Sequence, residues 1–339
     1  MDITKLSDHS LPRALAVDIG GTKMSAALID ASGCVIGEII TDPVPFASNG
    51  QADAGKMLAW IKARRNEHPV DICGIGLSLC GNVDEGTGFV PLSANFHWHR
   101  VPFGRMVSDE IRLPVMAATD VRMAALAEAT WGAAKGVNFF AWVTIGTGYG
   151  GYLVLDGKLY RGFHGYAGNF GHNTWDEFNG EMCGCGKPGC IETFVSGLGI
   201  ARAGQRAADS GASQILSQLS KGKAINSKDV FEAARQGDHG SQAVLDEAQR
   251  LTAINLASLV NILDLEMLVI GGGVAHATED YVDRLGQKIR QYLMTEEAKR
   301  DLKVVHESFS NAALVGAGCN VFLRTGVLRS RENDLDLYV

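Results

Sequence analysis

The sequence has no run of basic residues, and its 31 Lys and Arg are outnumbered by 38 Asp and Glu for a formal net charge of −7. General attraction to phosphate backbones or anionic lipid is therefore not expected, and nucleic acid is not the predicted partner. A long apolar run is also missing. The most apolar stretch, residues 139–155, is broken by Thr144, Thr147 and a cluster of glycines, which excludes a membrane span. The first twelve residues, MDITKLSDHSLP, lack the apolar centre of a signal peptide, so a cytoplasmic protein is expected. Four lysines follow a glycine, Lys56, Lys158, Lys187 and Lys223, but none precedes Ser or Thr. A P-loop is thereby excluded. No Pro- or Ser-rich linker and no low-complexity tract interrupts the chain. The seven cysteines, in a reducing compartment, are not read as a disulfide framework.

Glycine is in excess, 41 of 339 residues against a typical ~7 %. The excess lies in clusters, which points to backbone approaching a ligand. A length of 339 residues at ~150 per domain implies two domains. Residues 14–19, 24–30 and 35–40 read as a three-stranded antiparallel meander. A helix near 51–66, a strand over 72–79, a helix near 102–112 and a strand at 114–118 follow, then an Ala-rich helix at 121–134. Residues 139–145 and the segment YLVLDG form a second strand–glycine–strand unit. It aligns with the first at a constant offset, Val17, Ile19, Gly20 and Asp30 falling on Val143, Ile145, Gly146 and Asp156. Such an internal repeat predicts two similar α/β halves facing each other across a cleft. The C-terminal half is largely helical over 194–262, then has a strand at 267–270 and a helix at about 279–297. The expected division is 1–118, rejoined by a C-terminal helix at 312–330, and 119–311, with a hinge near 118–120.

In the segment Asp18, Ile19, Gly20, Gly21, Thr22, Lys23, a carboxylate at a strand end precedes a glycine turn with a hydroxyl and an ammonium. Such a turn can offer amides to a phosphate while the acid holds Mg²⁺ through water. An ordinary β-hairpin turn is the alternative. Gly146, Thr147, Gly148, Tyr149, Gly150 and Gly151 satisfy G-x-G-x-x-G, but a strand follows where a dinucleotide site needs a helix. A second phosphate-facing hairpin is the expectation there. His172 with Cys183, Cys185 and Cys190 supplies one imidazole and three thiolates in loop composition, the donor set of a closed, structural zinc site. Buried cysteines acting as small hydrophobes are the other reading. Asp120, between a strand and a helix, suits an N-cap by position.

Two glycine hairpins in repeated halves, with Gly271, Gly272 and Gly273 after a late strand, resemble the ATP-binding core of the actin, sugar kinase and Hsp70 superfamily. More closely the chain resembles the ROK family (repressor, open reading frame, kinase), through DIGGTK at 18–23, TIGTGYGG at 144–151, GKLYRGFHGYAGNFGH at 157–172, CGCGKPGCIETFVSG at 183–197 and NILDLEMLVIGGGV at 261–274. The resemblance implies a two-domain actin-like ATPase (ribonuclease H-like) α/β fold with duplicated βββαβαβα halves and a cleft between them. It also implies an ATP-dependent sugar kinase, with Asp120 as general base toward a hexose or amino sugar hydroxyl. Asp18, Gly20, Gly21, Thr22, Lys23, Gly146, Thr147, Gly148, Gly271, Gly272 and Gly273 would then hold ATP and Mg²⁺. Gly81, Asn95, Thr119, Asn169, His172 and Glu192 would meet the sugar, and His172, Cys183, Cys185 and Cys190 would bind structural Zn²⁺. A homodimer is implied as well.

The chain departs from the family pattern at four places. Cys80 stands for a proline, Thr119 and Arg122 for asparagines, and Asn169 for the glutamate that binds sugar hydroxyls. An amide accepts with one end and donates with the other, so a substrate other than glucose is expected; Arg122 reads as a solvated helix arginine. A ROK repressor would need a DNA-binding helix-turn-helix, and only seventeen residues precede Asp18. A sugar-binding protein that has lost catalysis is the remaining alternative.

Overall fold

The computed structural model describes residues 11–68 and 71–328. The chain divides into two compact units, one of Met1–Gly136, Lys158–Tyr166 and Ser308–Val339, the other of Val137–Gly157 and Ala167–Glu307.

The first unit is built on β1 (Arg13–Ile19), β2 (Lys23–Asp30), β3 (Val35–Pro43), β4 (Ile75–Leu79) and, after the short strands β5 (Asn82–Asp84), β6 (Phe89–Ser93) and β7 (Trp98–Val101), β8 (Val115–Thr119). Its main sheet runs β3-β2-β1-β4-β8. The meander is antiparallel as the sequence predicts, and β4 and β8 add in parallel. Strand period 2 sorts β1 between two cores. Leu15, Val17 and Ile19 pack with Met57 and Ile61 of α1 (Ala54–Glu67) and with Phe103 and Val107 of α2 (Phe103–Ile111). Ala14 and Ala16 face the opposite core, with Ala127 of α3 (Asp120–Thr130) and Leu314, Val315 and Phe322 of α11 (Ala312–Arg324). The small residues on that face allow close approach: a Cβ on Gly316 would stand 1.7 Å from the Met123 carbonyl oxygen.

That packing moves the division of the chain away from the expected hinge at 118–120. The first unit keeps α3 and extends to Gly136. Besides its contact with α11, α3 carries the buried Glu128, whose carboxylate accepts from the amides of Ser308 (2.6 Å), Phe309 (3.3 Å) and Ala133 (2.8 Å). A buried carboxylate without such donors would be costly, so α3 is held to the segment that starts the chain's return.

The second unit repeats the plan with β9 (Phe140–Ile145), β10 (Tyr149–Leu155), β12 (Met267–Gly271) and β13 (Lys303–His306); the short β11 (Lys158–Tyr160) that follows β10 falls in the first unit. The order is β10-β9-β12-β13, antiparallel and then twice parallel as in β2-β1-β4-β8. The repeat is real in β1 and β9, which end at Ile19 and Ile145. It slips by one residue afterwards: Ile19 faces Met24 across the first hairpin, whereas Ile145 faces Tyr149 across the second. The second turn is one residue tighter, so Asp156 is not the counterpart of Asp30 although the sequences align without a gap.

Helices α4 (Glu192–Val195), α5 (Gly197–Asp209), α6 (Gln214–Leu219), α7 (Ser227–Arg235) and α8 (His239–Leu263) fill the long helical region. α7 starts on a capping box of Asn226 and Asp229. The single helix expected at 279–297 is instead α9 (Tyr281–Arg290) and α10 (Glu296–Asp301), because Thr295 caps a new start by accepting from the Ala298 amide. Strands β5–β7 and β13 had no clear signal, being three to five residues long with mixed polarity. Among the described residues no helix is long and apolar enough to cross a membrane.

Candidate active site

In the first unit the site grows from the C-terminal ends of three adjacent parallel strands. Asp18 pairs in register with Ser78 of β4, and Leu79 with Thr119 of β8. Ser78, a lone hydroxyl in the fully buried strand IGLSL, donates to Asp18 Oδ1 at 2.5 Å. Burial raises the Asp18 carboxyl above its ordinary value, against the pull of Ser78 and of the Lys23 charge. Asp120 lies one residue beyond β8. It is not the N-cap that its position suggested. Thr119 occupies that place without a side-chain cap bond, and Asp120 is the first helical residue, its Oδ1 accepting from the Val121 amide at 2.9 Å. Desolvation, and then the Asp18 charge, push Asp120 up to about 6.

Two half-buried carboxylates with one lysine near them are a donor set short of positive charge, which fits a divalent cation or a proton acceptor. Cys80 completes the cluster. Its thiol is pushed up to about 12 by burial and by the Asp120 charge, opposed by hydrogen bonds from Asn95 and Ser93. A proton thus stays on the sulfur at neutral pH. Asn95 also covers the glycine turn, its Cβ and Cγ standing 3.3 Å from where a Gly21 side chain would begin. Gly81 has φ +109° and room for no Cβ, Ser93 being 2.7 Å away. The turn itself closes from the Gly20 amide to the Lys23 carbonyl at 3.0 Å, with Thr22 and Lys23 exposed.

In the second unit the turn Gly146–Thr147–Gly148 closes from the Gly146 amide to the Gly148 carbonyl at 3.0 Å. Gly146, Thr147 and Gly273 line a cavity of ≈ 700 Å³ with Leu198, Asn226 and Phe231. Gly272 (φ +92°) donates its amide to Glu307 Oε1 at 3.2 Å, and the same oxygen lies 3.0 Å from His276 Nε2 on the cavity wall. Glu307 thus seats the Gly271–Gly273 turn, a role that one polar residue after a short strand gave no means of reading.

His172 ends a short 3₁₀ turn, Phe170–His172, on which Asn169 sits exposed, its carbonyl accepting the His172 amide at 3.0 Å. One donor atom from each of His172, Cys183, Cys185 and Cys190 lies within 4.8 Å of the others. Cys183 Sγ is 3.5 Å from His172 Nδ1, and Cys185 Sγ is 3.5 Å from Cys190 Sγ. A tetrahedral zinc with ~2.3 Å Zn–S bonds has ligand–ligand edges of about 3.5–3.8 Å, so the donors fit that ion. Glu192, the first residue of α4, touches both features. Its Oε2 accepts from the Tyr149 amide at 2.9 Å, and Cys183 Sγ donates to Oε1 at 3.6 Å. It is therefore a bridge from the cysteine cage to the glycine turn, and a Cβ on Gly148 would fall 2.8 Å from Oε2.

Arg122 is not solvated. It is buried and paired with Glu85.

Two sheets of one topology, each opening on a glycine-turn hairpin beside the ends of parallel strands, define the actin-like ATPase fold. The chain belongs to the ROK family, whose model matches residues 14–321. It is 31 % identical over 331 residues to a glucokinase of Halalkalibacterium halodurans, covering 95 % of this chain and 96 % of that one. It is 32 % identical over 310 residues to an N-acetylmannosamine kinase of Escherichia coli, covering 89 % and 96 %. Among solved structures it is similar to a ROK family glucokinase from Streptomyces griseus in complex with glucose and AMPPNP, with a TM-score of 0.77, 30 % identity and coverage of 91 % and 98 %.

Proposed function

We propose that the protein is an ATP-dependent sugar kinase in which Asp120 is the general base. The observation that carries this reading is the Asp120 carboxylate itself, at the end of a parallel strand and beside Asp18, held at about 6 by burial and by that neighbour. At neutral pH it is ionised, and it is a stronger base than an ordinary aspartate near ~3.9. The sugar hydroxyl oxygen forms a bond to the γ-phosphorus as the bond to the leaving ADP oxygen breaks, and the hydroxyl proton goes to Asp120. Because the transition state is loose, positioning contributes more than base strength.

The turns Gly20–Lys23 and Gly146–Gly148 offer amides to the phosphates, and Lys23 offers a charge. Gly271, Gly272 and Gly273, with the adjoining cavity, take the adenosine. Mg²⁺ when bound would neutralise phosphate charge, and Asp18 is the residue suited to hold it through water. His172, Cys183, Cys185 and Cys190 form a closed set for structural Zn²⁺, leaving no ligand position for substrate.

Gly81, Asn95, Thr119, Asn169, His172 and Glu192 are the proposed sugar contacts. Glu192 spends Oε2 on the Tyr149 amide; Oε1 faces Cys183 Sγ at 3.6 Å, and with zinc on the cage that sulfur is a thiolate with no proton to donate, so Oε1 is open to a hydroxyl. The similar chains include a glucokinase and an N-acetylmannosamine kinase. The neutral donor–acceptor pair of Asn169 favours the substrate that carries a carbonyl acceptor. An ADP-release assay across glucose, fructose, mannose and the N-acetyl amino sugars tests the reading. Turnover of at least one is expected, and silence across the set would leave a sugar-binding protein without catalysis.

A further inference from the structure

Arg122 takes no part in the chemistry above, yet it is among the most deeply buried charges of the first unit. Its side chain is 3 % exposed, and its Nε lies 2.9 Å from Oε1 of Glu85, which is 11 % exposed. Arg122 is the third residue of α3, two after Asp120, and Glu85 directly follows β5 in the turn leading to β6. That hairpin leaves Gly81 at one end and leads to Asn95 at the other.

Little else compensates the two charges. Arg122 Nε and Nη1 and Glu85 Oε2 are buried with no hydrogen-bond partner among the described residues, so the 2.9 Å contact holds as an ion pair. A further charge of the same sign as Arg122 acts on the pair: Arg324, the last residue of α11, is pulled below its ordinary range first by burial and then by the Arg122 charge. Removing either member of such a pair leaves the other charge buried and unpaired, and the segment that carries it must move to find water. Here the segments are the helix that presents Asp120 and the hairpin between Gly81 and Asn95.

We propose that Arg122 and Glu85 are positioning residues for the sugar: their buried pair sets how the β5–β6 hairpin stands against the start of α3, and with it the grip of Gly81 and Asn95 on a substrate whose hydroxyl faces Asp120. This rests on the kinase reading. The larger effect falls on the sugar side, since the pair reaches the Gly20–Lys23 turn only through Asn95, which covers Gly21.

The test uses the full chain with Arg122→Met, Glu85→Gln and the apolar double variant Arg122→Met/Glu85→Met, which removes both charges together. Two quantities are read: amide hydrogen exchange across residues 82–93, and the KM values for ATP and for glucose or N-acetylmannosamine, whichever the wild type turns over faster. Each single variant is expected to exchange at least tenfold faster over 82–93 and to raise the sugar KM at least tenfold, with the ATP KM within twofold. The double variant should recover most of both changes. A variant with a lower Tm but an unchanged sugar KM has lost only a structural pair and overturns the proposal, as does an ATP KM that moves with the sugar KM. If the wild type phosphorylates no sugar, the kinase reading falls by itself. Exchange over 82–93 then decides, and wild-type protection in the single variants overturns the positioning role.

Discussion

In the proposed reaction Asp120 is the base, and its environment gives the substitution Asp120→Asn two opposite effects. The amide keeps the shape and can still accept from the Val121 amide but cannot take a proton, so kcat should fall by about 10²–10⁴-fold. Stability should move the other way. A carboxyl raised from 3.8 to about 6 binds its proton more tightly folded than unfolded. Its contribution is therefore full below pH ~4 and is lost as pH rises through 6. At pH 7–8 the variant should be more stable than the wild type by about 1–3 kcal/mol, with the gap closing toward pH 4; parallel denaturation curves at the two pH values measure it. In the wild type kcat/KM should fall as pH drops below about 6. An acid limb lying instead near pH 4 would mean that another group limits the rate. At Asn169 the exposed amide stands where a carboxylate would accept two hydroxyl protons. Asn169→Glu should shift kcat/KM toward glucose and away from the native sugar by roughly tenfold or more, the cost of one or two mismatched polar groups. Equal ratios for the two proteins would remove Asn169 from the specificity argument.

Among the elements, the cysteine loop and the Gly146–Gly148 turn cannot be treated as separate parts. The sequence motif alone suggests that losing zinc would disorder the sugar side and spare the nucleotide hairpins. Glu192 changes that expectation, because its carboxylate accepts from the Tyr149 amide with one oxygen and stands 3.6 Å from Cys183 Sγ with the other. One zinc per chain is expected by elemental analysis, and Cys185→Ser should lose it and raise the KM for ATP as well as for sugar. Metal retained with both KM values unchanged would refute the assignment of the cage. A second element-scale expectation concerns α11. Gly316→Ala puts a methyl 1.7 Å from the Met123 carbonyl oxygen, backbone against backbone, so α11 must shift from α3. Such overpacking costs about 1–3 kcal/mol, and thermal melts should show the Tm down by several degrees. Neither effect was legible from the motifs. The motif marks Glu192 only as a sugar contact and Gly316 not at all, and these further roles come from partners 43 and 193 positions away.

For the whole molecule, the chain passes from one compact unit to the other after residues 136, 157, 166 and 307. A kinase must sequester its reacting groups from water to avoid hydrolysing ATP. Saturating sugar with a non-hydrolysable ATP analogue is expected to slow limited proteolysis at these passages several-fold relative to the free protein. Identical digestion patterns with and without ligands would count against ligand-driven ordering there.

Local signals determined much of this protein. Alternating apolar residues bounded by glycine specified β1, β2, β4, β9 and β12 because a half- or fully buried strand needs that pattern. The spacing of His172, Cys183, Cys185 and Cys190 was enough to group the four donors, since soft ligands in a glycine-rich loop have few other uses. Burial and register were decided only by tertiary contact. Arg122 reads as solvated from its neighbours in sequence and is 3 % exposed because Glu85 meets it. The domain division moved to 136 because α11, some two hundred residues downstream of α3, packs against it. The one-residue slip between the two hairpins leaves no gap in the aligned sequence and appears only in the pairing of Ile19 with Met24 and of Ile145 with Tyr149. Propensity acts over a few residues, whereas desolvation and charge pairing depend on whatever the fold brings within a few ångströms.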